Sequence, residues 1–505
     1  MSLLGLDLGT TVCKAAVFAE DGGCLALAAR EYPAMPGAAG VAELDSHAVW
    51  QCVREVIGEV VSRTRRDPVT ALCAGSMGEA MVPVSAQRNL LGTSILCSDA
   101  RGAETVAALE RDFGQEAFYR INPNLLGPHY SLPKLLWLRE HDRALFDRAD
   151  RFLLWADAVA FLLGAEPFAC SSLANRTLLF DLDRNDWSQK LLDWSGIARG
   201  KLGRVVPAGT IVGTTSASAA ADLGLPRGVA LVAGGHDQCC NALGCGAVEA
   251  GQAVCGIGTF ECIAPVFARP ADLLSMLEAR LNVEHHLLPD LYVAFLYNQA
   301  GALVKWFRDT FAAAEKKDGV DLYAKLNAEL PAAPTDLLVL PHFDPPQWPQ
   351  AIPDTAGIIM GLRTHTTRGD ILKAIMEGTA LYFVDGLAAL HATGTRMTEF
   401  IAGGGGAKSD AWLQIKADIF GLPVVRPCTT EGGLAGCAML AGMATGVFSS
   451  AAEAARVFVR RDRVFEPDAQ RHAVYQQKHA LYRQMFPANR DLLRGLRRAA
   501  KDSCP

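Results

Sequence analysis

Gly234-Gly235-His236-Asp237-Gln238, followed by Cys239-Cys240-Asn241-Ala242-Leu243-Gly244 and then Val254-Cys255-Gly256-Ile257-Gly258-Thr259-Phe260-Glu261, is the stretch on which the fold turns. The apolar run 229–232 leads into it and reads as a buried strand. Two glycines then allow a turn and leave the Asp237 carboxylate at the strand end. In α/β proteins, loops at strand ends carry the chemistry. About twenty residues on, a second strand ends in Gly-x-Gly-Thr, a turn that can aim backbone N–H groups at an anion. The segment therefore offers a candidate base and a candidate phosphate cradle. The same residues would equally serve as two ordinary turns with a solvated aspartate.

Working outward, residues 3–8 form a short apolar strand carrying Asp7. Asp7-Leu8-Gly9-Thr10-Thr11 turns the chain, Lys14 follows, and residues 12–18 and 24–29 complete a three-strand meander. Gly258-Thr259 echoes Gly9-Thr10, which hints at an internal duplication. Residues 45–64 have helical periodicity, with Val49, Val53, Val56, Ile57 and Val60 on one face. The strand 69–74 runs into Ser76-Met77-Gly78-Glu79, and Cys97-Ser98-Asp99-Ala100-Arg101 repeats the pattern of a carboxylate after a strand. An Asp and an Arg two apart suit hydrogen bonding to a polyol, or equally a structural ion pair.

Helices are expected from residue 133 and over 152–163, and a loop over 171–183. In the second half, Asn298-Gln299-Ala300-Gly301 precedes a helix through Lys305. Strands are expected at 337–340, before a proline-rich loop through Pro345 and Pro346, and at 356–362. Asp370 is expected to cap a helix over 371–390. Strand 400–402 ends in Gly403-Gly404-Gly405-Gly406-Ala407-Lys408-Ser409, followed by a helix over 410–420. The small-residue stretch 431–443 and the Arg-rich tail from 468 are also helical. The glycine run is not a P-loop, because Ala402 and Ala407 stand where that motif needs Gly. Nor is it a dinucleotide fingerprint, because Lys408 takes the third Gly position.

Bulk properties narrow the class. A chain of 505 residues is too long for one core. Its net charge of −6 provides no field to recruit nucleic acid. No apolar run is long enough to span a membrane, and no charged-then-apolar leader is present, so a cytoplasmic protein is expected. The 14 cysteines lack zinc-ligand spacing, and many lie in apolar runs, as buried free thiols do. Adjacent Cys239 and Cys240 would close only a strained ring.

Taken in order, these motifs resemble those of the FGGY carbohydrate kinases. Asp7 to Thr11 with Lys14 is similar to the family's first phosphate motif, Gly235 to Gln238 to its catalytic-Asp motif, and Gly256 to Thr259 to its second phosphate motif. Gly357-Ile358-Ile359-Met360-Gly361-Leu362, with Asp370-Ile371 and Ala374 to Glu377, fits its C-terminal signature, and Gly404 to Ser409 its adenosine motif. The resemblance implies an α/β protein of two actin-like (ribonuclease H-like) domains, residues 1–243 and 244–505. Each would have a mixed central sheet flanked by helices, with ATP and sugar meeting in the cleft between them.

By the same resemblance Asp237 is the catalytic base, and Met77, Glu79, Asp99, Arg101, Asp237 and Gln238 face the sugar. Thr10, Thr11, Lys14, Gly258, Thr259, Gly301, Lys305, Gly405, Gly406, Ala407 and Asp410 face ATP. Asp7 and Asp237 lie near Mg2+. A small sugar is the implied substrate, a ketopentose such as xylulose first, with other ketoses, polyols or sugar acids as alternatives, and a homodimer is compatible with the family. The chain departs from the family's pattern on the sugar side. Ser76-Met77-Gly78-Glu79 stands for Gln-Met-His-Gly, Cys97 replaces a Trp, and Cys170 replaces an Asp. A rival of another class is an actin-like ATPase without a sugar substrate, which would use the same phosphate turns.

Overall fold

The computed structural model describes residues 1–35, 40–315, 321–344, 352, 355–429 and 431–502. Strands Ser2–Leu8, Val12–Ala19 and Cys24–Glu31 form the antiparallel meander read from the sequence. Ser2–Leu8 also pairs in parallel with Val69–Ser76, which pairs in parallel with Ala230–His236, and Ile211–Thr214 closes that edge antiparallel. Alternate residues of one strand point to opposite faces. Leu4, Leu6 and Leu8 enter one core, with Val49, Val53 and Val56 of the Ser46–Arg63 helix, while Leu3 enters another, with Leu434 and Ala438. Both faces are covered, which is why the strand reads as an unbroken apolar run.

The second sheet repeats this order. Gln252–Ile257 and Phe260–Ala268 form a hairpin, and Leu291–Val293 and Leu296–Gln299 pair antiparallel with the latter. Gln252–Ile257 runs parallel to Glu399–Gly403, which runs parallel to Val424–Pro427, and Arg461–Phe465 closes the edge antiparallel. The first sheet uses residues up to His236 and the second uses residues from Gln252 onward. The Gly-Thr echo in the sequence thus marks a duplicated strand plan.

One helix from the second half of the chain crosses back. Gly432–Ala444 lies on the first sheet and against the Asp237–Gly244 helix. A Cβ on Gly436 would stand 1.9 Å from Cys240 O, and one on Gly244 would stand 1.9 Å from Gly432 O. Only glycine lets these backbones approach so closely, which accounts for the small-residue composition of 431–443.

Four expectations differ from the structure. Residues 151–163 are a strand, Arg151–Leu154, paired with Met81–Val84, followed by a helix, Trp155–Leu163. A partner some seventy residues away leaves no trace in local periodicity. Residues 171–183 are not an open loop: Ser171–Ala174 is a helical turn, Asn175–Thr177 a 3-10 turn and Phe180–Asp181 a strand, and Arg176 is buried. Gly234 and Gly235 do not turn the chain. They lie inside Ala230–His236, where its register against Val69–Ser76 shifts. The long helix is Arg368–Ala392, capped by Thr367, with Asp370 as its third residue reaching back so that its carboxylate accepts from Thr367 N at 2.8 Å.

The helices over 410–420 and from residue 469 fall where the sequence puts them. Pro345 and Pro346 lie outside the described residues. Among the described residues every cysteine is a free thiol, Cys239 and Cys240 included, and no helix is long and apolar enough to cross a membrane.

Candidate active site

Leu8, Ser76 and His236 are level with one another at the carboxyl ends of three parallel strands. Met77 N donates to Leu8 O at 2.9 Å and fixes that edge. Asp7, Met77 and Asp237 therefore share one rim, where open α/β sheets bind ligands. Asp237 opens the Asp237–Gly244 helix, and its side chain keeps 24% exposure. Burial, then the nearby Glu79 charge, pushes its carboxyl up to about 7. His236 Nε2 lies 3.3 Å from Asp237 Oδ1. Burial and the Arg176 charge hold that imidazole neutral, so no ion pair pulls Asp237 back down. A carboxylate titrating near neutrality is matched to general-base work.

Asp7 is raised above the usual carboxylate range by burial first and by Asp237 second. The start of the Gly432–Ala444 helix stands against it: a Cβ on Gly433 would lie 2.8 Å from Asp7 Oδ2. Lys14, opposite Asp7 in register, reaches across to Glu431 Oε2 at 2.8 Å. An ion pair between the two halves of the chain thus closes the floor of the cleft. Thr10 and Thr11 are exposed at the first Gly-Thr turn, which is held by Gly9 N to Val12 O at 2.9 Å.

The second turn is built alike, with Gly258 N donating to Phe260 O at 3.0 Å. The Gly301–Phe311 helix starts on it, through Gly301 N to Gly258 O and Ala302 N to Thr259 O, both 3.0 Å. Lys305 is exposed one turn along. Gly256 is level with Gly403, so the 3-10 turn Gly405–Lys408 lands beside the same turn, and Gly405 faces open space. Gly258, Thr259, Gly301, Gly405, Gly406 and Ala407 therefore lie close together. Asp410 does not join them through its carboxylate, which is held by Arg426 at 2.5 Å and by Arg463.

On the acceptor side, Met77 and Glu79 are buried near Asp237, and Gln238 follows it on the helix. Asp99 and Arg101 pair with each other. Asp99 has a fully covered side chain whose oxygens accept from Ala42 N, Arg101 N and the Arg101 guanidinium. Arg101 also binds Glu43 and stacks 4.3 Å from the Trp137 ring. The geometry realises the structural ion pair that the sequence left open. Glu79 and Arg101 line a cavity of about 320 Å3 together with Glu43, Lys134 and Trp137.

Two residues escaped sequence reasoning. Arg176 binds Glu79 through Nε at 2.8 Å and through Nη2, and it binds Glu284 of the second sheet through Nη1 at 2.7 and 2.9 Å. A buried-looking Arg in the run Leu173-Ala174-Asn175-Arg176-Thr177-Leu178-Leu179 was the one available signal.

Comparison with known proteins places this geometry. Residues 2–244 match the N-terminal domain, and residues 275–445 the C-terminal domain, of the FGGY family of carbohydrate kinases. The chain belongs to the FGGY family. This FGGY kinase is 28% identical to a xylulose kinase of Bacillus subtilis, with 99% of each chain covered. It is 30% identical to an autoinducer-2 kinase of Escherichia coli K12, over 94% of this chain and 92% of that one. Its structure is similar to that of a xylulose kinase from Rhodospirillum rubrum, with TM-score 0.88, 26% identity, and 98% and 100% of the two chains covered. A glycerol kinase of Plasmodium falciparum shares the fold at TM-score 0.83 and 17% identity, over 95% of this chain and 98% of that chain. The protein is thus an α/β phosphotransferase of the two-domain actin-like fold, with an alcohol group as acceptor and ATP as donor.

Proposed function

We propose that this kinase phosphorylates a small ketose of the xylulose type, with Asp237 as general base. The observation that carries the base assignment is the place of Asp237 directly after His236 at the carboxyl rim of the first sheet, with its carboxyl raised to about 7. Asp237 takes the proton of the acceptor hydroxyl while its oxygen attacks the γ-phosphorus and ADP leaves. The turns at Thr10, Thr11 and Thr259, with Gly258, Gly301, Lys305 and the Gly405–Ala407 segment, hold ATP, and Lys14 and Asp410 brace that surface through Glu431 and through Arg426 and Arg463. Met77, Glu79 and Gln238 face the sugar, and Asp99 and Arg101 position the rim beside it. The two domains divide at Leu243 and Gly244. The free thiols fit a reducing cytoplasm.

The residues fit a magnesium ion. Asp7 lies near enough to Asp237 for the Asp237 charge to act on it, as suits two carboxylates that share one cation. Mg2+ favours such sites, taking one or two carboxylates and keeping waters and phosphate oxygens. When bound, it supplies charge neutralisation on the phosphates.

The ketose is supported by the relatives named xylulose kinase. The relative named autoinducer-2 kinase, at 30% identity, supports a second reading in which the acceptor is another small polyhydroxylated ketone, and the missing pentulose-type histidine at Gly78 favours keeping it. ADP release with Mg-ATP should depend on acceptor across a panel of ketoses, autoinducer-2, polyols and sugar acids. Equal ADP release with and without every acceptor would instead favour an actin-like ATPase.

A further inference from the structure

Position 78 has no side chain, and Arg176 fills the space. A Cβ there would stand 2.4 Å from Arg176 Nε, 2.5 Å from its Cδ and 3.1 Å from His236 Cδ2. The guanidinium thus lies on the Gly78 backbone, against the residue that precedes Asp237. Phe295 and Tyr130 flank it, with ring centres 5.5 and 5.7 Å away. Its side chain is 8% exposed. Gly78 and Arg176 form one structural unit: the residue that loses its side chain makes room for a cation brought from a hundred positions away.

The hydrogen-bond inventory is incomplete in an informative way. A guanidinium has five N–H donors. Nε–H and one Nη2–H go to Glu79 Oε1, and Nη1 contacts both Glu284 oxygens. One Nη2–H has no acceptor among the described residues. Glu284 is further occupied by Asn282 Nδ2, whereas Glu79 Oε2 has no donor among the described residues. Glu79 Oε2 is not among the fully covered atoms that lack a partner, so it keeps open space beside it for a polar ligand atom. Side by side, this oxygen and the unmatched Nη2–H complement two oxygens on neighbouring carbons, one accepting and one carrying a hydroxyl proton. The charges also decide what is refused. Glu79 and Glu284 outnumber Arg176, and like charge disfavours an anionic ligand.

Resting on the kinase reading above, we propose that Arg176 and Glu79 form the acceptor-recognition pair: the unmatched Nη2–H donates to a carbonyl or hydroxyl oxygen of the acceptor, Glu79 Oε2 accepts from the hydroxyl on the next carbon, and neutral sugars are selected over sugar acids. Arg176 replaces, from another element, the contact that a side chain at position 78 would make. Glu284 holds it in place from the second sheet, so the pocket is complete only when both halves of the chain meet.

The test is steady-state kinetics on whichever panel acceptor the wild type phosphorylates best. Arg176→Lys keeps the charge but cannot span two carboxylates and still donate. Its KM for acceptor should rise about tenfold or more, as expected for a lost polar contact in a site built to make it, while KM for ATP stays within about twofold. Gly78→Ala changes no charge and must displace the guanidinium, so it should give the same split. If Arg176→Lys does not fold, Arg176→Met combined with Glu284→Gln, which removes one charge of each sign, takes its place beside Gly78→Ala. A merely structural role would move both KM values together, and that result, or an unmoved acceptor KM in folded variants, overturns the assignment. So does a wild type that phosphorylates a sugar acid faster than its neutral parent. A wild type that prefers a polyol would instead refute the ketose reading and leave Arg176 in place.

Discussion

Replacing Asp237 by Asn tests the centre of the mechanism. Asn conserves size and shape and cannot take a proton at neutral pH. General-base assistance is worth roughly 10²–10⁴ in rate, or about 3–5 kcal/mol at about 1.4 kcal/mol per tenfold. A kcat loss of at least about a hundredfold is therefore expected, with ATP still bound. The raised carboxyl adds a second signature. With its pKa near 7, wild-type kcat/KM should climb as pH rises through 7, and the residual activity of the variant should lack that limb.

The same shift predicts stability. Asp237 binds its proton more tightly in the folded state, so its contribution is fully present below about pH 4 and is lost as pH rises through 7. A shift from 3.8 to about 7 corresponds to something on the order of 4 kcal/mol. Without nucleotide, Asp237→Asn should melt at or above the wild-type temperature at pH 8, and the difference should shrink toward pH 5. Stopped turnover is read by coupled ADP release, folding by thermal melts across pH, and nucleotide binding by calorimetry. A variant that keeps kcat within a few fold of wild type would remove Asp237 as base, and one that melts well below wild type at pH 8 would refute the electrostatic account of the rim.

Glu79→Ala should raise KM for the acceptor far more than KM for ATP; equal changes would take Glu79 out of the acceptor pocket. Lys416 and Glu261 form an ion pair in which both side chains are fully covered, behind the second Gly-Thr turn. Lys416→Met strands the carboxylate and should cost about 3–5 kcal/mol in urea unfolding, whereas adding Glu261→Gln should recover much of it, and a single variant as stable as wild type would contradict the pairing. Gly404 has φ +78° with Ile257 O 2.7 Å from a built Cβ, so Gly404→Ala should strain the turn by about 1–3 kcal/mol and raise KM for ATP while sparing the acceptor. An unchanged KM for ATP would separate this turn from the nucleotide.

Local sequence determined what depends on local physics. Strand 3–8 was legible because a strand covered on both faces is an unbroken apolar run, and the helix at 45–64 because one buried face repeats every three to four residues. Both Gly-Thr turns were legible because a strand end must be punctuated, whereas the glycines before Asp237 proved to lie inside the strand. What the sequence could not decide was which distant groups meet. Arg176 bonds to Glu79 and Glu284, 97 and 108 positions away; the apolar run around Arg176 signals its burial, and nothing near any of the three names the partners. Residues 171–183 looked like a loop because their order comes from burial against other elements, not from periodicity. Asp99 and Arg101 could as well have met a polyol as each other, and only the closed hydrogen-bond geometry around Asp99 chose the ion pair. The return of Gly432–Ala444 onto the first sheet needed the second half of the chain in place, because a run of small residues has no intrinsic partner until another backbone lies close enough to require it.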